Sequence, residues 1–259
     1  MDLWTLSAVS LAVIFVATTM GSATVFLFRG GLSRSTYVIV LGFAGGIMIA
    51  ASFFGLIQPS IDQSRELYDW YAIPPVAGFI LGGLMLWMMD RTIPHIHRSS
   101  GVEEGIPSGL SANRKFFLAV TIHNIPEGLA VGFALGLALG QMDESLGYAA
   151  LSLAIGIAIQ NIPEGAAVSI PMYGDGESRW RSFLFGSFSG LVEPVFGIVG
   201  IVLAQLSVMT PWLLAFAAGA MIYVTLDDIL PESRKEGMEH RSLWAFMTGF
   251  ALMMILEMM

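Results

Sequence analysis

The chain contains no cysteine. Disulfides and thiolate ligands are therefore excluded, and any metal centre must be built from oxygen and imidazole nitrogen. That disfavours Cu(I) and leaves ions such as Zn(II), Fe(II) and Mn(II). Charge is scarce as well: 12% of the 259 residues are charged and 55% are hydrophobic, whereas soluble domains carry roughly 25% charged residues. With a mean hydropathy of +0.73, this composition indicates a polytopic protein whose solvent is the lipid bilayer. The formal charge of −8 says little about partners, because where the charges sit matters more than their sum. No basic segment precedes the first apolar run, which extends from Leu3 to Phe28. That run is too long for a cleaved signal and reads as the first span.

Eight apolar runs are long enough to cross ~30 Å of hydrocarbon. They cover residues 3–28, 36–57, 72–90, 115–140, 147–172, 182–206, 211–230 and 242–258. Backbone groups in hydrocarbon must be satisfied within each span, so the expected fold is all-α. Eleven of the twelve Lys and Arg residues fall in alternate connections, and only Arg65 falls on the other side. The positive-inside rule then puts the basic connections in the cytoplasm and both termini outside. The longest connection, residues 91–114, is cytoplasmic and Gly/Ser-containing, and is expected to be flexible. Its His95 and His97 either sample metal or are incidental histidines on a solvated loop.

An internal repeat is visible. Phe43–Ser52 aligns without gaps on Phe216–Thr225, an offset of 173 residues, and the register continues to Ser60 over Ser233. By the charge topology the two copies run in opposite directions. An inverted repeat is a transporter signature, with the substrate site near the midplane between the halves. Spans one to three and six to eight would then enclose spans four and five, a 3+2+3 arrangement.

The central pair carries the chemistry. His123-Asn124-Ile125-Pro126-Glu127-Gly128 recurs in the next span as Gln160-Asn161-Ile162-Pro163-Glu164-Gly165. A third acid, Glu193, precedes Pro194 in span six. An ionisable side chain near mid-membrane costs about 2.5–3.5 kcal/mol, and three would cost about 8–10 kcal/mol if unpaired. No Lys or Arg lies near the middle of any span, so these acids are protonated, face water, or hold a cation; a cation uses all three. His123 and Glu127 stand at i, i+4 and share a helix face, while Asn124 and Glu127 meet at i, i+3. Gln160, Asn161 and Glu164 repeat that geometry. Each proline frees a carbonyl one turn back, which at membrane depth calls for a polar cavity or partner. Gly128 and Gly165 allow close helix approach.

These paired motifs resemble those of the ZIP (Zrt/Irt-like) metal transporters, particularly the short bacterial branch, and the resemblance extends over essentially the whole chain. It implies a multi-pass protein of the cell (inner) membrane that takes up Zn(II) or related ions such as Cd, Fe, Mn or Co into the cytoplasm. The metal is substrate, no cofactor is implied, and the motion is elevator-like or rocking. It also implies a homodimer. Matched by position, one ion would take His123, Glu127, Gln160 and Glu164, and a second would take Asn124, Glu127, Asn161, Glu164 and Glu193. The chain departs from the family pattern at Gln160, where many relatives have His, and at Asn161, where some have Asp. The second position should therefore be the weaker.

Further candidates line a path. Asp227 and Asp228 could form an exit station or simply a solvated helix end. Met48, Ser52, Met221 and Thr225 occupy matching repeat positions; Met48 is expected in an outer vestibule, and simple helix packing is the favoured reading of the other three. Two rival readings use the same site, an intramembrane metalloenzyme and a metal-selective channel. Against the enzyme, neither HExxH nor the Glu-x-x-His order of di-iron bundles occurs.

Overall fold

A computed structural model describes residues 1–27, 33–96, 103–233 and 239–258. Helices account for nearly all of it. They are α1 (Leu3–Ala23), α2 (Arg34–Ala50), α3 (Gln58–Leu67), α4 (Ile73–Thr92), α5 (Ala112–Gln141), α6 (Glu144–Gly174), α7 (Arg179–Gly190), α8 (Val192–Ala204), α9 (Thr210–Val224), α10 (Leu230–Ser233) and α11 (Glu239–Glu257). Wide π-type turns join α2 to α3 (Ala51–Ile57) and α9 to α10 (Thr225–Ile229). Among the described residues, seven helical stretches are long and apolar enough to cross a membrane. The protein is thus an all-α polytopic membrane protein. The α11 helix is not among the seven; its 19 residues open on Glu239-His240-Arg241 and close on Glu257, which shortens the apolar middle.

Side-chain caps set several helix starts. Asp2 accepts from the Thr5 N–H at 2.9 Å, and Ser33 from the Thr36 N–H at 3.1 Å. The longest helices, α5 and α6, are joined by two residues. Met142 adopts a left-handed conformation (φ 54°), and Asp143 then caps α6 through the N–H groups of Ser145 and Leu146 at 2.8 and 3.3 Å. So short a turn forces the two motif-bearing helices to lie antiparallel.

The described flanks of the connection after α4 are paired. His95–Ile96 (β1) pairs antiparallel with Glu103–Glu104 (β2), and Lys115 at the start of α5 forms a 2.5 Å ion pair with Glu103. His95 is buried rather than solvated: its Nδ1 lies 2.8 Å from the Ile93 carbonyl and its Nε2 3.8 Å from Asp90. The backbone reversal gives this ring a pocket that loop composition could not reveal. His97 lies outside the described residues, as do Arg29, Arg98, Arg234 and Lys235 among the charges used for topology.

Glycines set the closest helix approaches, and they carry the repeat further than the aligned segment. A Cβ on Gly46 would strike the Phe246 carbonyl of α11, and one on Gly249 would strike that of Phe43 in α2. Gly219 and Gly82 stand in the same relation to Phe79 and Phe216, seating α9 on α4. Gly46 and Phe43 map onto Gly219 and Phe216 at the 173-residue offset, so the α2–α11 contact is repeated as α9–α4. The hydroxyls agree. Ser52 donates to the Met48 carbonyl at 2.7 Å, and its counterpart Thr225 donates to that of Met221 at 2.8 Å. Both stand where the helix opens into a wide turn. The copies run antiparallel: Gly45 of α2 faces Ile229 and Thr225 at the end of α9, whereas Ser60 of α3 donates to the Pro211 carbonyl at its start, 2.6 Å away.

The remaining long helices form a second group, with α1 packed along α6 and α5 along α8. The break between α7 and α8 falls at Leu191, just ahead of Glu193-Pro194. Asn124 Nδ2 donates to the Ser189 carbonyl across this break, at 3.1 Å.

Candidate metal site

The site is built on the facing middles of α5 and α6. Pro126 and Pro163 lie inside these helices without ending them. Gly128 sits where a Cβ would meet the Glu193 backbone, and Gly165 where one would meet the Thr18 carbonyl and the Ser22 N–H. The two motifs thus press α5 against α8 and α6 against α1. That brings Asn124 and Asn161 onto Glu193, and Gln160 onto Glu127.

Their polar contacts are few. Gln160 Nε2 donates to Glu127 Oε1 at 2.5 Å. Glu193 accepts from Asn161 Nδ2 (2.7 Å), Asn124 Nδ2 (3.2 Å) and Thr18 Oγ1 (2.9 Å). What remains is a set of oxygens. Asn124 Oδ1, Glu127 Oε2, Gln160 Oε1 and Asn161 Oδ1 are all buried, and none has a hydrogen-bond partner. Buried acceptors are nearly always satisfied. Four such acceptors on two facing helices form a cluster that a cation or hydrogen-bond donors would satisfy.

A cavity of about 310 Å³ reaches this place. His123, Glu127, Gln160 and Glu164 line its inner part. Tyr37 near the start of α2, Ile96 and Glu104 of the β pair, and Pro231 of α10 line its mouth. It therefore opens at the end of the bundle that bears the 93–111 connection. Toward the other end, Ala130, Phe133, Leu153, Ile157, Ala217 and Met221 are packed and buried.

His123 does not act with Glu127 alone. Its Nε2 lies 2.9 Å from Asp228 Oδ2. Asp227 and Asp228, expected at a solvated helix end or an exit station, both line the cavity, because the wide turn after α9 carries them round to face α5. Among the described residues no group of three His, Asp or Glu stands close enough together to hold a metal. The carboxylates are instead distributed over amides and a hydroxyl.

Met48 lines this cavity. Ser52 is buried and does not line the cavity; its hydroxyl is spent on its own helix. Met221 and Thr225 likewise belong to packing, with Thr225 Oγ1 3.6 Å from Met48 Sδ. Sequence reasoning missed Thr18 and Tyr37. Neither sits in a motif, and Thr18 is one of several buried hydroxyl residues in the first apolar run.

Comparison with known proteins places the chain in a family. The family model for the ZIP Zinc transporter matches residues 114–257. The human zinc transporter ZIP11 is 34% identical, with 93% of each chain covered. The zinc transporter GufA of Myxococcus xanthus is 35% identical over 93% of this chain and 94% of its own. The zinc transporter ZIPB of Bordetella bronchiseptica is 36% identical over 94% of this chain and 77% of its own. With the doubled motif on α5 and α6, the third acid on α8 and homology along nearly its full length, this chain belongs to the ZIP zinc transporter family.

Proposed function

We propose that the protein carries Zn(II), or a chemically similar divalent cation, across the membrane through the α5–α6 site by alternating access. The observation that carries this reading is the set of four buried, unpartnered oxygens beside a cavity lined by His123, Glu127, Gln160 and Glu164. Ion and protons compete for such a site, because ligating carboxylates must be deprotonated. His123, Glu127, Gln160 and Glu164 would hold the ion at the cavity, and the oxygens of Asn124 and Asn161 would approach it from the closed side. Asp227, Asp228 and Met48 would meet it on its way out.

The reading includes an eight-helix 3+2+3 bundle with α11 as the last span. The glycine–carbonyl contacts repeated between α2–α11 and α9–α4 support it. Alternation of the basic connections supports both termini outside, so the cavity would open to the cytoplasm and the described state would be inward-facing. A homodimer in the cell's inner membrane rests on the family resemblance alone.

The test is uptake of labelled Zn(II) into proteoliposomes. The parent should accumulate the ion, saturating with concentration, and Glu127→Ala and Glu164→Ala should each abolish accumulation. No uptake of any divalent ion, or uptake by the variants equal to the parent's, would sink the reading.

A further inference from the structure

A second cavity, of about 350 Å³, opens on the flank of the bundle between α2, α11 and α6. An apolar cavity of about 150 Å³ already takes up a benzene ring. Arg241, Trp244 and Thr248 line the groove from α11, Val40 and Phe43 from α2, and Pro163 from α6. The α11 residues stand at i, i+3 and i+7 and so share one face, which carries the groove roughly 10 Å along the helix. Its chemistry changes over that length. At the helix starts, Arg241 is exposed and donates to Ser35 Oγ at 3.3 Å. Among the described residues no carboxylate pairs with it, whereas Arg65, Lys115 and Arg181 each have one. Trp244, also exposed, lies one turn deeper, where an interfacial aromatic belongs. Beyond it the groove is apolar. Thr248 spends its hydroxyl on the Ala245 carbonyl at 2.8 Å, and Val40, Phe43 and Pro163 present only carbon side chains.

We propose that this groove holds one anionic phospholipid, with its phosphate on the Arg241 guanidinium and an acyl chain laid along Trp244, Val40 and Thr248 toward Pro163. A planar guanidinium suits a phosphate through paired N–H donors. By the charge topology the mouth faces the cytoplasmic leaflet, whose surface carries anionic lipid. Hydrocarbon is the solvent at this flank, so lipid fills an apolar slot of this size, and the arginine without an acid selects which lipid. Pro163 also lines the metal cavity. The acyl chain thus backs the residue next to Glu164 and completes the wall between the site and the bilayer. Binding here is independent of which ion the central site carries.

The test uses purified full-length protein in phosphatidylcholine bicelles, into which dibrominated phosphatidylglycerol or dibrominated phosphatidylcholine is titrated. Bromine on an acyl chain quenches a tryptophan that it meets. The chain has six tryptophans, and subtracting the signal of Trp244→Phe isolates that of Trp244. Half-quenching at Trp244 should need about fivefold less phosphatidylglycerol than phosphatidylcholine, the preference that one arginine near a membrane surface supplies. The gap should narrow with added salt. Arg241→Gln keeps most of the side chain's length and should abolish the preference. Val40→Phe fills the groove, leaves Arg241 in place, and should abolish it too. Equal quenching of the parent by both lipids would mark ordinary boundary lipid and overturn the proposal. A preference that survives Arg241→Gln would remove the phosphate contact, and one that survives Val40→Phe would remove the groove; either result overturns it. Zn(II) uptake by the parent decides the transport reading separately.

Discussion

Replacing Gly128 by alanine should separate two helices that the site needs in contact. A Cβ there would lie 2.8 Å from the Glu193 Cα and 2.9 Å from its carbonyl carbon, and closer still to the carbonyl oxygen. Ordinary carbon contacts begin near 3.5 Å. All three obstructing atoms are backbone, so no rotamer change relieves the clash, and α5 must move off α8 by several tenths of an ångström. Overpacking of this kind costs about 1–3 kcal/mol. Alanine returns about 0.5–1 kcal/mol of helix propensity, and the net loss should be of order 1–2 kcal/mol. At about 2–4 °C per kcal/mol for a chain of this size, the melting temperature should fall by roughly 2–8 °C. The shift also carries Asn124 away from Glu193, so Zn(II) uptake should fall further than stability alone explains. The control is Gly140→Ala on the same helix, where nothing lies within 4 Å of the added Cβ. There propensity acts alone, and the melting temperature should hold or rise. Thermal unfolding of purified protein, with uptake measured on the same preparations, checks both signs. If the two variants melt alike, or Gly128→Ala transports like the parent, close packing of α5 on α8 does not hold the site.

Two further outcomes can be checked directly. Asp228→Asn removes the charge 2.9 Å from His123 and should weaken Zn(II) uptake about tenfold, in the range for loss of a histidine's carboxylate partner; concentration-dependent uptake in proteoliposomes measures it. At the α5–α6 turn, hydrogen bonds from the Ser145 hydroxyl and from the N–H groups of Ser145 and Leu146 hold the Asp143 carboxyl below its ordinary value of 3.8. A depressed carboxyl pKa stabilises the fold above the unfolded value and loses that contribution as pH falls through the folded one. Asp143→Ala should therefore lower the melting temperature at neutral pH and flatten its decline below about pH 4, as followed by thermal scans across pH.

Some of this molecule was legible before any fold was known. Apolar runs of this length admit only helices, because hydrocarbon offers no partner for a free N–H or C=O. The doubled motif located the chemistry, since an acid, an amide and a proline in a span demand a shared polar partner. The repeat was visible over Phe43–Ser52 and Phe216–Thr225, but its extension to α4 and α11 was not. Gly82 and Gly249, with the Phe79 and Phe246 carbonyls they face, are too sparse a pattern to stand out from other apolar helices. The connection after α4 also misled, because the burial of His95 beside Asp90 follows from a two-residue strand pairing that composition does not encode.

By itself the sequence determined that the chain crosses the membrane as helices, and it placed the polar doubled motif on α5 and α6 with only oxygen and nitrogen available as ligands. Helical periodicity assigns each side chain to a face of its own helix, so Glu127 with His123, and Glu164 with Gln160, could be read directly. Periodicity carries no information about the depth or rotation of a neighbouring helix. Those were decided by backbone contacts at Gly128 and Gly165 and by the wide turn after α9. They bring Thr18 to Glu193 across 175 positions and Asp228 to His123. Tertiary packing thus made Glu193 the anchor of two amides and made Asp228 the partner of His123, because only packing sets which faces meet.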